Sequence, residues 1–331
     1  MSVIDFVCPR CRGTLQSSAD AFRCVPCRAT YPVMFGIPDF RVEPDPWIGL
    51  EDDRDKARRL LEITDGRDLE ASIDAYWAMT PGTSPEDARR FTMYVLGGER
   101  RSGEWLDAIG PPDVPSDAPW LEIGSASGDM IAACAARGIR AVGVDVAMRW
   151  LVLARKRPAL DGAPYSLVCA NGEFLPFRDR SFARVVSVGT LEHCRRADDV
   201  LSESARVLRP GGDAVMRTTN RFTVLPEPHV NLWGIGLLPR AWADRYVRWR
   251  GGQGYLHHRV LSARELRRIT HRAGFSASHV APARLLPSDH VRLGRAGRAA
   301  GPLYEWARSA PVLPAIMRWI TPLLEVRGRR G

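Results

Sequence analysis

A short apolar run that ends in an acid and then turns on glycine constrains this 331-residue chain more than anything else in it. The run Trp-Leu-Glu-Ile at 120–123 carries Glu122 and enters Gly-Ser-Ala-Ser-Gly at 124–128, and the helix-like MIAACAARG follows over 130–138. A second, β-branched run stops at Asp145, with Val146 behind it. This strand–turn–helix–strand order opens a nucleotide-binding α/β sheet. Glycines at 124 and 128 let the backbone turn tightly and approach a ligand, and a carboxylate ending the second strand suits a ribose diol. Two nucleotide classes drop out. A dinucleotide fingerprint needs glycine at 126 and 129, where the chain has Ala and Asp, and no Gly-Lys-Ser/Thr run exists for a triphosphate loop.

The length suggests about two domains, and 45% apolar with 26% charged residues is ordinary for a globular protein. A net charge of +9 is compatible with nucleic acid, an anionic membrane surface or a phosphorylated substrate, and selects none of them. Nothing near Met1 resembles a signal peptide and no uncharged apolar run is long enough to span a bilayer, so the expected location is the cytoplasm, where thiols stay reduced. The seven cysteines then need an explanation other than disulfides.

Four of them have one. Cys8-Pro-Arg-Cys11 and Cys24-Val-Pro-Cys27 are two C-x-x-C pairs separated by residues 12–23, and each pair can form a knuckle that points two thiolates at one ion. Four thiolates match tetrahedral zinc and leave no coordination position open, so the metal is expected to be structural. A redox pair would be single and set at a strand–helix junction. Gly13 after the first knuckle is expected to take a left-handed turn position.

Farther along, residues 41–119 read as a helical connection. DRDKARRLLEIT, DLEASIDAYWAM and SPEDARRFTMYVL have amphipathic spacing, the last capped by Ser84 with Pro85 behind it. Tyr76, Trp77, Phe91 and Tyr94 would either line a pocket or form the buried faces of these helices, the second reading being favoured. The turn-rich PPDVPSDAP at 111–119 leads into a regular alternation, with strands expected at 120–124, 140–145, 165–170, 183–189 and 213–219. Helical stretches lie between them, one running from Asp198 through Leu208 and ended by RPGG at 209–212, so a largely parallel sheet is expected.

The turn at 122–128, the acid Asp145, CANGEFLPF at 169–177 and ARVLRPGG together resemble class I, type 11-like S-adenosylmethionine-dependent methyltransferases. Ala126 stands where their usual middle glycine is. The resemblance implies a Rossmann-like sheet with helices on both faces and S-adenosylmethionine as cofactor. Under it, Glu122 and the turn Gly124, Ser125, Ala126 and Gly128 face the amino-acid and ribose portion of the cofactor. Asp145, with Val146 behind it, receives the ribose hydroxyls. Asn171, in a place usually held by Asp, meets adenine together with Gly172 and Glu173. Thr190 and Leu191 lie beside the methionine part, and Glu192 and His193 face the substrate. The N-terminal text around the cysteines, with Tyr31, Pro32, Gly36, Ile37 and Pro38, is similar to the small zinc-ribbon proteins that activate certain RNA and protein methyltransferases.

The division implied is a zinc ribbon at 1–40, a helical cover at 41–119, a methyltransferase domain at 120–290 with a substrate lid at 220–258, and a basic helical tail at 291–331. His193 is the candidate general base, with His229, His257 and His258 as rivals; its alternative role is to position the strand end. Arginines cluster over 240–272, suiting a phosphate-bearing acceptor or RNA if they are not simply a solvated face. The tail, with Arg292, Arg295, Arg298, Arg308, Arg318, Arg327, Arg329 and Arg330, is expected to pack on the core as a terminal helix, peripheral membrane contact being the alternative. No Asn/Asp-Pro-Pro-aromatic motif follows the fourth strand, which argues against methylation of exocyclic base nitrogens. With the RPGG-type core and the aromatic lid, this absence points to a small-molecule acceptor: a hydroxyl on a sugar, a lipid-linked intermediate or a secondary metabolite. An RNA methyltransferase and a non-catalytic scaffold stand as alternatives.

Overall fold

The computed structural model describes residues 4–112, 117–160, 167–252, 254–292 and 294–331, with side chains described outside 290–298. Apart from residues 112–114, the chain divides at Ala183 into two compact units.

The first unit begins with an antiparallel sheet of β1 (Leu15–Ser17), β2 (Ala21–Cys24), β3 (Thr30–Met34) and β4 (Ile37–Pro38), in that order. So small a sheet has little core of its own. Its aromatics Phe6, Phe22, Tyr31 and Phe40 instead pack as one cluster that Phe177 extends, with ring centroids 5.0 to 5.8 Å apart. Phe6 bridges Phe177, and the Val7 N–H donates to the Pro176 carbonyl at 3.0 Å.

Helices α1 (Leu50–Ile63), α2 (Leu69–Ala78), α3 (Pro85–Leu96) and α4 (Gly98–Ile109) follow. Ser84 caps α3 as its sequence suggests, its hydroxyl accepting from the Asp87 N–H at 3.1 Å. Ala57 and Leu60 of α1 and Ile73 and Tyr76 of α2 are buried in one core with Ile37, Met148, Leu151 and Leu167. Each of the Leu, Ile and Met side chains among these contributes about 1.5–3 kcal/mol through removal from water. The aromatics divide: Tyr76 is buried, with its ring 4.6 Å from Trp150, while Trp77 stacks on Phe91 at 5.2 Å, and Phe91 and Tyr94 remain exposed.

Strand β5 (Trp120–Ile123), helix α5 (Asp129–Ala135), strand β6 (Ala141–Asp145), helix α6 (Met148–Ala154) and strand β7 (Leu167–Cys169) complete this unit. The three strands are parallel, with Trp120 opposite Ala141 and Gly143 opposite Leu167, and all of β5 and β7 is buried. This is the βαβαβ half of a Rossmann-like α/β fold. Residues 113–116 of the expected linker and residues 165 and 166 of the expected third strand lie outside the described residues.

Strand β8 (Phe182–Val188) runs on into the second unit, where α7 (Ala197–Val207) leads to β9 (Leu208–Thr219). The RPGG segment does not end a helix as a free turn. It lies inside β9, with Gly211 taking φ +79°. Then come α8 (Arg240–Trp249), α9 (Ala263–Arg272), β10 (Phe275–Pro282), α10 (Pro287–Arg292), α11 (Gly294–Ser309), α12 (Leu313–Met317) and β11 (Leu323–Arg330). The Ser262–Glu265 capping box opens α9, and Gly274, at φ +86°, follows its end.

The expected helical tail needs correction. Residues 323–330 form a strand that lies between β9 and β10 and is antiparallel to both. Its period is two: Leu324, Val326 and Gly328 turn inward, while Glu325 and Arg327 alternate with them. A Cβ at Gly328 would stand 2.7 Å from the Phe275 ring, so glycine is what lets the strand close on β10. The side chains of Arg292, Arg295 and Arg298 lie outside the described residues. Among the described residues no helix is long and apolar enough to cross a membrane.

Candidate functional site

In the first unit, the turn after β5 is built as its residue types require. Gly124 and Gly128 take φ +84° and +71°. A Cβ at Gly128 would lie 2.8 Å from the Ala154 Cβ, so this glycine gives both the turn and the approach of α6. Ala126 also sits at positive φ, +40°, which explains why glycine is the usual residue there. The N–H groups of Gly124 and Ser125 both donate to the Val144 carbonyl, at 2.7 and 3.0 Å, and pin the turn to the end of β6.

Asp145 closes this arrangement. One carboxylate oxygen accepts from the Ala126 N–H and the other from the Ala147 N–H, each at 2.8 Å, which leaves each oxygen a further lone pair. Burial raises the Asp145 pKa to about 6; Asp45 adds to the rise, while the two backbone N–H groups and Arg149 oppose it. Glu122 is buried on β5, and burial, then Asp129 and Asp145, hold its pKa well above the carboxylate range against the pull of Arg157. Its Oε2 and the Ser125 hydroxyl have no hydrogen-bond partner among the described residues. Buried, unanswered polar atoms are rare in folded proteins and mark places where a ligand completes the bonding. The residue types therefore fit a cofactor that carries a diol and a cationic amine.

Asn171 is used in a way the sequence did not reveal. Its amide oxygen accepts from the N–H groups of Val42 and Glu43, at 2.9 and 3.1 Å, and its amide nitrogen donates to the Glu43 carbonyl at 3.0 Å. It thus ties down the segment after the N-terminal sheet, which is also held by the Phe40 N–H on the Cys169 carbonyl at 2.7 Å. Gly172 follows it, and Glu173 is buried.

The same segment carries a buried ion network. Arg41 grips Asp39 with two hydrogen bonds of 2.8 and 2.7 Å, reaches Asp53 at 2.6 Å, and donates to the Val146 carbonyl at 3.1 Å. Arg149 pairs with Asp53 and Asp45 at 2.6 and 2.8 Å, and Arg54 with Asp39 at 2.8 Å. Three arginines answer three aspartates, and the side chains of Asp39, Arg41 and Asp53 are fully buried. A boundary at residue 40 would cut through this network. Its members lie at 39–45, 53–54 and 149, and nothing in the spacing of any one of these stretches announces it.

Upstream, the four cysteines meet. Their sulfur atoms all lie within 4.8 Å of one another, with Cys8–Cys27 at 3.6 Å and Cys11–Cys24 at 3.4 Å. The knuckles close through the Arg12 N–H on the Cys8 carbonyl and the Arg28 N–H on the Cys24 carbonyl. The left-handed positions are Arg12 and Arg28, at φ +61° and +63°, and not Gly13 as expected. Gly13 is needed for room, because a Cβ there would stand 2.6 Å from Pro26.

In the second unit, Leu191 is buried in the short 3-10 turn Leu191–His193, and the Thr190 hydroxyl turns back to the Val188 carbonyl at 3.4 Å. Glu192 is not open to a substrate. Its carboxylate takes the hydroxyls of Thr218 and Thr219, at 2.7 and 3.0 Å, and clamps the end of β9. His193 does not stand alone: His229 and His258 gather with it, while His257 stays outside the group. Burial, then the neighbouring imidazoles, push the His258 pKa down to about 3. At His229 burial works against charge, but the Glu227 carboxylate outweighs it and raises the pKa.

The surface of this unit exposes large apolar side chains, among them Trp233, Trp242, Trp249 and Trp306. Not all of the arginines near 240–272 are unpartnered: Arg240 pairs with Glu265 at 3.0 Å and Arg248 with Asp244 at 2.8 Å.

With this geometry in hand, comparison with known proteins gives the domain its kind. Residues 121–216 match the sequence profile of the Methyltransf_11 methyltransferase domain. Malonyl-[acyl-carrier protein] O-methyltransferase of Methylococcus capsulatus is 29% identical over 51% of this chain and 56% of its own length. Ubiquinone biosynthesis O-methyltransferase of Idiomarina loihiensis is 29% identical over 45% of this chain and 58% of its own. With a third relative, a biotin biosynthesis bifunctional protein of Cellvibrio japonicus, the chain spans between 23% and 58% of the length of these curated proteins. Among solved structures, Haemonchus contortus phosphoethanolamine N-methyltransferase 2 is 18% identical, over 83% of this chain and 60% of that one, with a TM-score of 0.48. Residues 121–216 are therefore a methyltransferase domain of the Methyltransf_11 type on a Rossmann-like α/β sheet.

Proposed function

We propose that this chain is an S-adenosylmethionine-dependent methyltransferase acting on an oxygen of a small-molecule acceptor, and that its N-terminal thiols hold a structural zinc ion. The observation that carries the reading is the Asp145 carboxylate at the tip of β6, bonded to the Ala126 N–H across the Gly124–Gly128 turn. Each of its oxygens keeps a lone pair for one ribose hydroxyl, and charge-assisted bonds of this kind are about twice as strong as neutral ones. Glu122, with Oε2 unanswered and its pKa held up by burial, faces the ammonium of the methionine part, whose positive charge favours ionising it on binding. Because the Asn171 side chain is committed to residues 42 and 43, adenine falls to the backbone of 171–173.

When bound, the cofactor supplies a methyl group already activated on a sulfonium. The chain's own task is then alignment and exclusion of water. His193 and its neighbours are the groups of the second unit able to hold or move an acceptor's proton. Two of the three curated relatives named above are O-methyltransferases by name, which supports an oxygen acceptor such as a sugar hydroxyl, a lipid-linked intermediate or a secondary metabolite. The exposed tryptophans favour an amphiphilic member of that set.

The test is incubation of the protein with deuteromethyl-labelled cofactor and cellular metabolite and RNA pools, read by mass spectrometry. Label in a small molecule is expected. Label confined to RNA would overturn the acceptor class, and no label in either pool would count against turnover.

Two further outcomes follow. Cofactor affinity should fall on acidification, because the ribose hydroxyls need Asp145 ionised and its pKa is about 6. Between about pH 7.5 and about pH 5 the loss should be at least about tenfold, measured by calorimetry, since ionising Asp145 alone gives that factor and Glu122, whose pKa burial raises, adds to it. Cys24→Ser should remove about one equivalent of zinc and lower the melting temperature, because so small a sheet depends on its metal. Unchanged metal content would sink the zinc assignment.

A further inference from the structure

We propose that His193, His229 and His258 form a second metal site, which binds a divalent first-row transition ion through three imidazoles. The three rings come from separate places in the second unit: the turn after β8, the loop before α8, and the stretch before α9. Their candidate ligand nitrogens all lie within 4.8 Å of one another. The ring centroids are 4.8 Å apart for His193–His229, 5.1 Å for His193–His258 and 4.3 Å for His229–His258. Three histidines separated by 29 and 36 residues do not converge this way to fill a core, since imidazole is a poor apolar filler and like rings repel once charged.

The surroundings are those of a ligand set. Glu227 Oε1 lies 2.5 Å from His229 Nδ1, so the carboxylate fixes the ring and leaves Nε2 as the coordinating nitrogen. Glu227 is itself held in place: its other oxygen accepts from the N–H groups of His229 and Val230, at 2.9 and 3.2 Å. The Tyr255 ring packs 5.3 Å from His258 and limits how far that imidazole can swing. No carboxylate belongs to the group of three, so the donor set is all nitrogen, which suits zinc, cobalt, nickel or iron and not magnesium or calcium.

All three rings are only part-buried. Three neutral ligands on a divalent ion leave a position open and a net positive charge. The ligand class for that position is an ionisable oxygen: water, a hydroxyl or a carboxylate. This contrasts with the four-thiol cluster, which closes its coordination sphere. These residues alone carry the inference, and with the ion bound His193 is a ligand and not a general base, so the two roles are alternatives for that ring.

The full chain, dialysed against a mild chelator, is titrated with Co2+ and followed by calorimetry and visible absorption. Thiolate-bound cobalt is separated by its sulfur-to-metal charge-transfer bands, which nitrogen ligands lack. A cobalt site without those bands is expected, at about micromolar affinity or tighter. His229→Ala and His258→Ala should weaken it by about 100-fold or more. Glu227→Gln keeps all three rings and should weaken it about 10- to 100-fold, so the test survives if a histidine variant does not fold. His271→Ala, on the exposed side of α9, should leave it unchanged. The proposal is overturned if no nitrogen-only cobalt site forms, or if the site persists in the folded His229→Ala/His258→Ala double variant.

Discussion

Asp145→Ala is expected to weaken binding of S-adenosylmethionine by roughly 100-fold, about 3 kcal/mol. The variant loses two charge-assisted acceptors for the ribose hydroxyls and also frees the Ala126 and Ala147 N–H groups that the carboxylate holds at 2.8 Å. Asp145→Asn separates these parts. An amide oxygen can keep one of the two backbone bonds, so the turn is largely preserved while the charge is lost. Most of the affinity should still disappear. Melting temperature measured alongside calorimetry guards against a folding explanation, because Asp145 is uncomfortable where it is: burial has raised its pKa, and its removal relieves that penalty.

Arg41→Leu should destabilise the fold by about 3–5 kcal/mol, read from urea unfolding, because it leaves buried carboxylates without their partner. Asp39 loses both hydrogen bonds from this side chain and keeps Arg54 and the backbone N–H of residue 41; Asp53 keeps Arg149 and the Met148 N–H. The loss should be felt at the cofactor turn as well, since Arg41 also donates to the carbonyl of Val146, next to Asp145. Lysine cannot replace this fork, which spans two carboxylates and a carbonyl, and Arg41→Lys should recover only part of the stability. A wild-type unfolding curve for Arg41→Leu would mean that the network is not closed as described.

What was legible in the sequence was legible for local reasons. Gly124, Gly128 and Asp145 announce their turn because few residue types tolerate those backbone angles or end a strand in a charge. The cysteine pairs announce a cluster through spacing alone. Capping is equally local, and the Ser84 and Ser262 helix starts stand where their side chains place them.

The misses are all non-local. Helix α4 has a glycine cap with no side-chain signal, and its small positions, Gly98 and Gly103, are set by Asp129 and Arg137, 31 and 34 residues farther along. Strand β11 hides its alternation among arginines, and only its two neighbours make it a strand. The ion network around Arg41 and the meeting of His193 with His229 and His258 depend on chain returns that no window of sequence contains. Gly13 has the look of a left-handed turn residue in the sequence, but its constraint is the Pro26 ring and not its own φ.

Binding of S-adenosylmethionine at the end of β6 is tested most directly by calorimetry of the cofactor into the wild-type chain. A single site of about micromolar affinity is predicted, weakening as the pH falls through the Asp145 pKa of about 6. No heat of binding at about millimolar cofactor, from protein shown to be folded, would contradict it.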